Sequence, residues 1–483
     1  MSIENLIKRI QNIMRQDAGV DGDAQRISQL VWMLFLKVYD AKEEFWEFEE
    51  DNFESIIPEE CRWRNWAIDN KDGEALTGDK LLDFVNTTLF PALKELQVDA
   101  FTEKRKAIVK NVFEDANNYM KNGTLLRQVI NILNEVDFTE YEERHAFNDI
   151  YETILKDLQS AGSSGEFYTP RSLTEFLVEM LKPQVGEKIA DFACGTGGFL
   201  ISTLDYLDDQ IKTPEDKEIV QENLFGIEKK PLPYLLAITN LILHDIDSPN
   251  ILHDNSLSKN VRDYKEVDRF DVILMNPPYG GTEEESIKIN FPVALQSSET
   301  ADLFIALILY RLKQNGRVGI VLPDNFLFGN ENSQKALKEK LLTECNLHTI
   351  IRLPQGVFAP YTSIRTNLLF FDKTGETKEI HYYDLPLPSG YRSFSKTKPF
   401  KSEHLDGVRT WWSNRDNGDV NSYVVSINEV KRLDYNLDFK NPNKANEENE
   451  YTLEELLTSI DKKAKNIKSV VNKLKEVLEG VEE

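Results

Sequence analysis

Apolar residues in the first third of the chain recur with the spacing of an amphipathic helix, and strand-like alternation is almost absent from residues 1–160. Two sets show this spacing: Ile27, Leu30, Val31 and Leu34, and further on Leu81, Leu82 and Val85. The pattern predicts an α-helical amino-terminal domain over residues 1–160.

From about residue 165 to residue 385, short runs rich in β-branched and aromatic residues alternate with helical stretches. These runs are KIADFA, NLFGIE, NILHD, FDVILMN, RVGIVLP, HTIIRLP, TNLLFF and EIHYYDL. Such alternation predicts βαβ units and an α/β fold with a mainly parallel, doubly wound, Rossmann-like sheet. Ligands of such sheets bind at the carboxyl ends of the strands.

The remaining boundaries follow from composition. The small residues 160–165, SAGSSG, suit a flexible connection, so a second domain is expected over residues 161–445. Within it, residues 386–450 are rich in Pro, Ser, Asn and Lys and predict irregular structure.

Residues 446–483 are expected to contain a coiled-coil-type helix. It starts from a capping-box pattern at Thr452 and Glu455. Apolar residues then follow in strict 4-3 alternation: Leu453, Leu457, Ile460, Ala464, Ile467, Val471, Leu474, Leu478 and Val481. So narrow a stripe favours packing against another polypeptide, with docking on the chain's own domain as the alternative.

The charge balance narrows the choice of partners. Among 483 residues, 57 are Lys or Arg and 82 are Asp or Glu, a net charge of −25. A protein that binds nucleic acid unaided normally carries a basic surplus. Either the substrate is not nucleic acid, or another polypeptide contributes the binding surface.

Cysteine usage and hydropathy favour a cytoplasmic protein without a metal site or a membrane segment. The cysteines Cys61, Cys194 and Cys345 are far apart and lack metal-ligand spacing. The longest apolar run, Val31 to Leu36, is much shorter than the ~20 residues that cross a bilayer.

A glycine-rich turn follows the first strand of the predicted sheet. Asp191 ends the strand, and Gly195, Thr196, Gly197 and Gly198 lead into an apolar helix. The dinucleotide fingerprint fails, because its third glycine would fall at Leu200. An acid followed by G-x-G resembles the first motif of S-adenosylmethionine-dependent methyltransferases, so we expect a cofactor site here, with a purely structural turn as the alternative.

Two further acids end the next two strands. A carboxylate at Glu228 could accept hydrogen bonds from both ribose hydroxyls of a nucleoside. Asp254 could accept one from an adenine amino group. We therefore expect both to bind the cofactor, although each would be an ordinary surface acid without the preceding turn.

The sequence Asn276-Pro277-Pro278-Tyr279 follows the fourth strand. The prolines stiffen the turn and leave carbonyl oxygens free to accept hydrogen bonds. The amide oxygen of Asn276 and the carbonyl of Pro277 could then hold an exocyclic amine, and Tyr279 offers a surface on which an extruded base could stack. We predict that these residues are catalytic.

Taken together, these motifs resemble the modification (M) subunits of type I restriction-modification systems, which are adenine-N6 DNA methyltransferases. The resemblance covers nearly the whole chain and includes several further segments: Gly165 to Arg171, Gly356 to Phe358, Thr366 to Phe371 and Asp434 to Asp438. It implies that one of these segments forms the cofactor pocket near the methionine moiety, namely Glu166, Phe167, Tyr168, Thr169, Pro170 and Arg171. Many relatives have Gln where this chain has Glu166.

The resemblance implies a class I methyltransferase fold, S-adenosylmethionine as cofactor and N6 of a flipped adenine in duplex DNA as acceptor. The motif order resembles the gamma-type amino methyltransferases. The implied partners are a separate specificity (S) subunit, a second M subunit and, in the full complex, a restriction (R) subunit. Phe358 would be a second aromatic surface for the base, or else a core residue.

Two other functions stay open from the residues. Similar turns serve methyltransferases of cytosine N4, of RNA and of protein glutamine, and the chain could instead be a non-catalytic scaffold. Covalent cytosine-C5 chemistry is disfavoured because no cysteine follows a proline, and no phosphate-binding G-x-x-x-x-G-K-[ST] loop is present.

Overall fold

The computed structural model describes residues 3–69, 75–99, 102–139, 169–415 and 418–444. Residues 1–439 belong to one compact unit, and a second unit begins at Lys440. The predicted connection at 160–165 and the predicted helix after Thr452 lie outside the described residues, so both stay predictions.

The amino-terminal region is helical, as predicted. Its α-helices are α1 (Ile3–Met14), α2 (Asp23–Glu49), α3 (Trp63–Trp66), α4 (Gly78–Asp83), α5 (Phe90–Lys94), α6 (Lys104–Glu114) and α7 (Gly123–Leu133), and a π-helical turn, Phe84–Leu89, joins α4 to α5. No strand occurs in the described parts of residues 3–139. The predicted apolar face of α2 is buried from Ile27 to Leu34, and Trp32 packs edge-on against Phe90.

The α/β region that follows is built on a nine-stranded sheet. Its strands are β1 (Ile189–Asp191), β2 (Leu224–Glu228), β3 (Asn250–His253), β4 (Phe270–Met275), β5 (Leu312–Pro323), β6 (Asn346–Arg352), β7 (Thr366–Asp372), β8 (Glu379–Asp384) and β9 (Ser422–Ser426). Their order is β3-β2-β1-β4-β5-β7-β6-β8-β9. Pairing is parallel except at β5–β7, β6–β7 and β8–β9, so the sheet is mainly parallel and each of the eight predicted runs contributes a strand.

Helices cover both faces of the sheet. They are α8 (Arg171–Leu181), α9 (Gly198–Leu207), α10 (Pro214–Asn223), α11 (Pro231–Leu243), α12 (Glu285–Lys288), α13 (Thr300–Arg311), α14 (Asp324–Phe328), α15 (Asn332–Glu344), α16 (Asp406–Ser413) and α17 (Ile427–Arg432). Along β4, Val272 and Leu274 join one apolar core while Ile273 and Met275 join the other. Because alternate side chains of a strand point to opposite faces, this division shows a doubly wound sheet.

The expectation of irregular structure over residues 386–450 is wrong in part, since α16, β9 and α17 lie within it. In β9 the side chains of Tyr423 and Val425 are buried while Val424 is exposed. That alternation is only five residues long and borders polar residues, so the sequence pattern does not predict a strand here. The strand extends the sheet by pairing antiparallel with β8.

The helical region packs against the α/β region through α2 and α11. The Nζ atom of Lys42, on α2, lies 2.7 Å from Asp245 and 3.1 Å from Asp247, just after α11. Lys42 is mostly buried, so these contacts tie the two regions together. Of the described helices, none is both long and apolar enough to span a bilayer.

Candidate active site

The glycine-rich turn forms an open bend between β1 and α9. Gly195 and Gly197 have φ angles of +55° and +83°, in the left-handed region that favours glycine. A Cβ atom built on Gly195 would meet no other heavy atom within 4 Å. The turn therefore leaves space beside the backbone in which a ligand can lie.

Glu228 at the end of β2 is fixed against this bend. Its Oε2 accepts the N–H of Gly195 at 2.9 Å, and its Oε1 accepts the N–H of Lys230 at 2.7 Å. The backbone N–H of Asp254 donates to the carbonyl of Glu228 at 3.1 Å, and the Asp254 side chain is exposed beyond β3. The structure thus places both acids beside the bend, while their contacts with ribose and adenine stay predictions.

Asp191 is in the predicted position but has a different environment. Its side chain is 1% exposed, and its Oδ1 accepts the N–H of Ala193 at 3.0 Å. Burial, with a smaller contribution from the charge of Glu228, raises the pKa of Asp191 to about 8. In this geometry Asp191 stabilises the start of the bend through its hydrogen bond to Ala193. Its direct contact with a ligand stays a prediction.

Asn276 lies where β4 ends, next to β1 in the sheet. Its Nδ2 donates to Thr169 Oγ1 at 3.0 Å. Its Oδ1 is buried and accepts no hydrogen bond from any residue that the structure describes. A buried acceptor without a donor costs about 1–3 kcal/mol, so this oxygen is poised for a hydrogen bond from a ligand.

In the rest of the turn, Tyr279 does not present the open stacking surface that was expected. Pro277 is buried and Pro278 is exposed. The Tyr279 side chain, however, lies in the core at 5% exposure, and burial raises the pKa of its hydroxyl far above the usual value. Its ring presents no open face, so stacking on a base would require the ring to be uncovered first. Phe358 is 1% exposed and is a core residue here.

The segment before α8 joins the two motifs. Thr169 contacts Asn276, Pro170 precedes the first turn of α8, and Arg171 Nη1 donates to the carbonyl of Gly198 at 2.7 Å. Glu166, Phe167 and Tyr168 lie outside the described residues, so their roles stay predictions. Spacing alone identifies this segment as a loop before a helix, and only the family resemblance pointed to the pocket.

The sequence analysis did not predict one residue of the site, Asn240. Asn240 on α11 is 1% exposed, and its Nδ2 donates to the carbonyl of Thr196 at 3.1 Å. The signal was present, because Asn240 is an amide within the otherwise apolar helix PLPYLLAITNLIL. Among the residues described, no group of three or more His, Cys, Asp or Glu side chains could hold a metal ion.

The sheet order, the glycine bend after β1 and the amide corner after β4 together define a class I methyltransferase fold. Two family models match the chain: N-6 DNA Methylase over residues 142–451 and HsdM N-terminal domain over residues 3–133.

Similar proteins point to a narrower family. The chain is 49% identical to the EcoEI methylase subunit of a type I restriction enzyme from Escherichia coli, over 99% of this chain and 98% of that one. A modification subunit of a putative type I restriction enzyme from Vibrio vulnificus has a solved structure with TM-score 0.81 and 42% identity, covering 92% and 97% of the two chains. A chain from a type I restriction-modification complex matches at TM-score 0.83 and 37% identity over 99% of both. This chain therefore belongs to the methylase subunits of type I restriction enzymes.

Proposed function

We propose that this chain transfers a methyl group from S-adenosylmethionine to N6 of adenine in duplex DNA. The observation that carries the proposal is the buried Oδ1 of Asn276, which lacks a donor among the described residues and lies one strand away from the glycine bend. Membership of the family supports the choice of cofactor and acceptor.

The residues at the bend fit a nucleoside cofactor. Gly195 to Gly198 leave room for close approach, Glu228 and Asp254 offer carboxylate acceptors, and the segment Glu166 to Arg171 would close the pocket at its methionine end. When bound, S-adenosylmethionine supplies a methyl group on a positively charged sulfur, which is an activated leaving group.

The amide corner would orient the acceptor. Asn276 Oδ1 and the Pro277 carbonyl accept the two N–H bonds of the adenine amine, which directs the nitrogen lone pair at the methyl group. As positive charge develops on that nitrogen, the two oxygens stabilise it. Because Asn276 Nδ2 donates to Thr169, the amide oxygen of Asn276 is the atom left to face the acceptor.

Sequence specificity would come from a separate S subunit, flanked by two copies of this chain, with an R subunit in the full cytoplasmic complex. Deleting residues 452–483 tests the predicted helix. We expect co-purification with the S subunit to be lost while the remaining chain still binds cofactor. Unchanged assembly would contradict the assignment.

Co-expression with the S subunit, followed by methylation of DNA and its digestion to nucleosides, tests the chemistry. The proposal expects N6-methyladenine. N4-methylcytosine would instead favour the other amine acceptors, and no transfer by the wild type with every partner present would favour the scaffold.

A further inference from the structure

Acidic residues are unevenly distributed in this acidic chain. No Asp or Glu occurs from residue 346 to 371 or from residue 385 to 402, although the chain holds 82 of them. Both stretches carry cations: Arg352 and Arg365 in the first, and Arg392, Lys396, Lys398 and Lys401 in the second.

Both stretches reach the edge of the sheet at which β4 ends and Asn276 lies. β4 pairs with β5, the last residue of β5 pairs with Thr366, and Leu353 N–H donates to the Thr366 carbonyl at 3.0 Å. Leu385 N–H in turn donates to the carbonyl of Arg352 at 2.9 Å. At about 4.8 Å per strand, β7 and β8 lie about 10 and 19 Å from β4.

The loop after β8 is held in a defined conformation. Phe394 is 2% exposed, its N–H donates to the Gln355 carbonyl at 3.1 Å, and its ring packs against Phe400 with centroids 5.1 Å apart. A Cβ atom on Gly356 would lie 2.2 Å from the Phe394 carbonyl oxygen, so only glycine allows this contact. Two backbone hydrogen bonds between Ser395 and Lys398, each 3.0 Å, close a tight turn that carries Lys396.

Most of these cations lack a protein counter-ion. Arg365, Arg392 and Lys396 are exposed and make no ion pair with any residue in the described ranges. Lys398 is also exposed and lies over the Tyr391 ring, 4.4 Å from its centroid. By contrast, Arg352 pairs with Asp438 and Lys401 with Glu403. We call Arg365, Arg392, Lys396 and Lys398 the basic face.

We propose that the basic face binds phosphates of the duplex on one side of the target base. This inference rests on the proposed function. At about 3.4 Å per base pair, the 10–19 Å between β4 and the strands from which the basic face extends corresponds to roughly three to six base pairs. Clustered cations beside the active corner let a chain of net charge −25 contact DNA locally while the rest of its surface repels it.

The test uses the complex with the S subunit and the triple variant Arg392→Gln, Lys396→Gln and Lys398→Gln. DNA affinity is measured by fluorescence anisotropy over a series of salt concentrations. Each lost phosphate contact lowers the slope of log K against log[salt] by about 0.9, so we expect a slope smaller by about 2 to 3. Cofactor affinity and the rate at saturating DNA should stay at wild-type values.

A matched control neutralises Lys212, Lys217 and Lys265, which are exposed and near the opposite edge of the sheet. The control should keep the wild-type slope. A triple variant of the basic face that also keeps that slope would overturn the inference, as would loss of the S subunit on purification, which would make the face a protein interface. A wild-type complex that binds DNA but does not methylate it would reject the proposed function and leave the slope as a separate result.

Discussion

The two halves of the active edge of the sheet differ in chemistry. On one side, β1, β2 and β3 end in the carboxyl groups of Asp191, Glu228 and Asp254 around a tight glycine bend. On the other side, β4 ends in the neutral amide of Asn276, and the strands beyond it lead to the basic face. The strand order reverses between these halves, at the β1–β4 pair.

This difference suggests a division of labour. Carboxylates suit the hydroxyl and amino donors of a nucleoside, whereas an amide oxygen and cations suit a base and its phosphates. Because ligands of doubly wound sheets bind where the strand order reverses, donor and acceptor would meet at the boundary between the halves. Substitutions on either side should therefore affect different steps.

The largest effect is expected for Asn276→Ala. Removing the amide deletes a hydrogen-bond acceptor for the developing charge, so the rate of methyl transfer should fall about 10²- to 10³-fold while cofactor affinity changes little. Single-turnover transfer and calorimetric titration of cofactor measure the two quantities. Asn223→Ala, at the end of α10 and away from this edge, is the control and should keep wild-type activity. Equal loss of cofactor binding in Asn276→Ala would contradict the division.

Glu228→Gln tests the other half. Replacing the carboxylate weakens charge-assisted hydrogen bonds worth about 1.5–3 kcal/mol, so cofactor affinity should fall about 10- to 100-fold. With saturating cofactor, the transfer rate should stay within a few-fold of wild type. A variant that binds cofactor normally but transfers slowly would place Glu228 on the acceptor side instead.

A smaller effect is expected for Thr169→Val, which removes the acceptor of Asn276 Nδ2 at nearly constant volume. The amide can then rotate, so the transfer rate should fall about tenfold, the equivalent of one ordinary hydrogen bond. Thr169→Ser should restore it. If serine fails to do so, or if valine acts only through cofactor affinity, Thr169 does not position Asn276.

The smallest effect concerns pH and Asp191. Because burial raises its pKa from 3.8 to about 8, the folded protein holds this proton more tightly than the unfolded chain. The resulting stability is fully present below about pH 4 and is lost as pH rises towards 8. In the wild type the melting temperature, measured by calorimetry, should fall by a few degrees between pH 6 and 9. Asp191→Asn should remove this decline. An unchanged decline would show that other groups cause it.

The sequence predicted the fold better than the details of the site. All eight predicted strands are present. Buried strands of a parallel sheet have nearly continuous apolar runs, such as FDVILM, and these are easy to recognise in a sequence. β9 could not be predicted because its alternation is short. Nor could the burial of Tyr279, which joins an apolar core with residues far along the chain, such as Phe291 and Leu341. The contact between Thr169 and Asn276 joins residues 107 positions apart, beyond the reach of any local pattern.

The basic face makes the surface charge of this acidic chain locally uneven. With a net charge of −25 and four exposed cations clustered in the basic face, the protein would turn that face towards an approaching polyanion. Encounters in another orientation would meet the acidic remainder of the surface and be repelled, which limits unproductive retention on bulk DNA. Because the Debye length is about 8 Å at physiological ionic strength, this orienting torque would act only over the last few ångströms of approach and would weaken further at high salt.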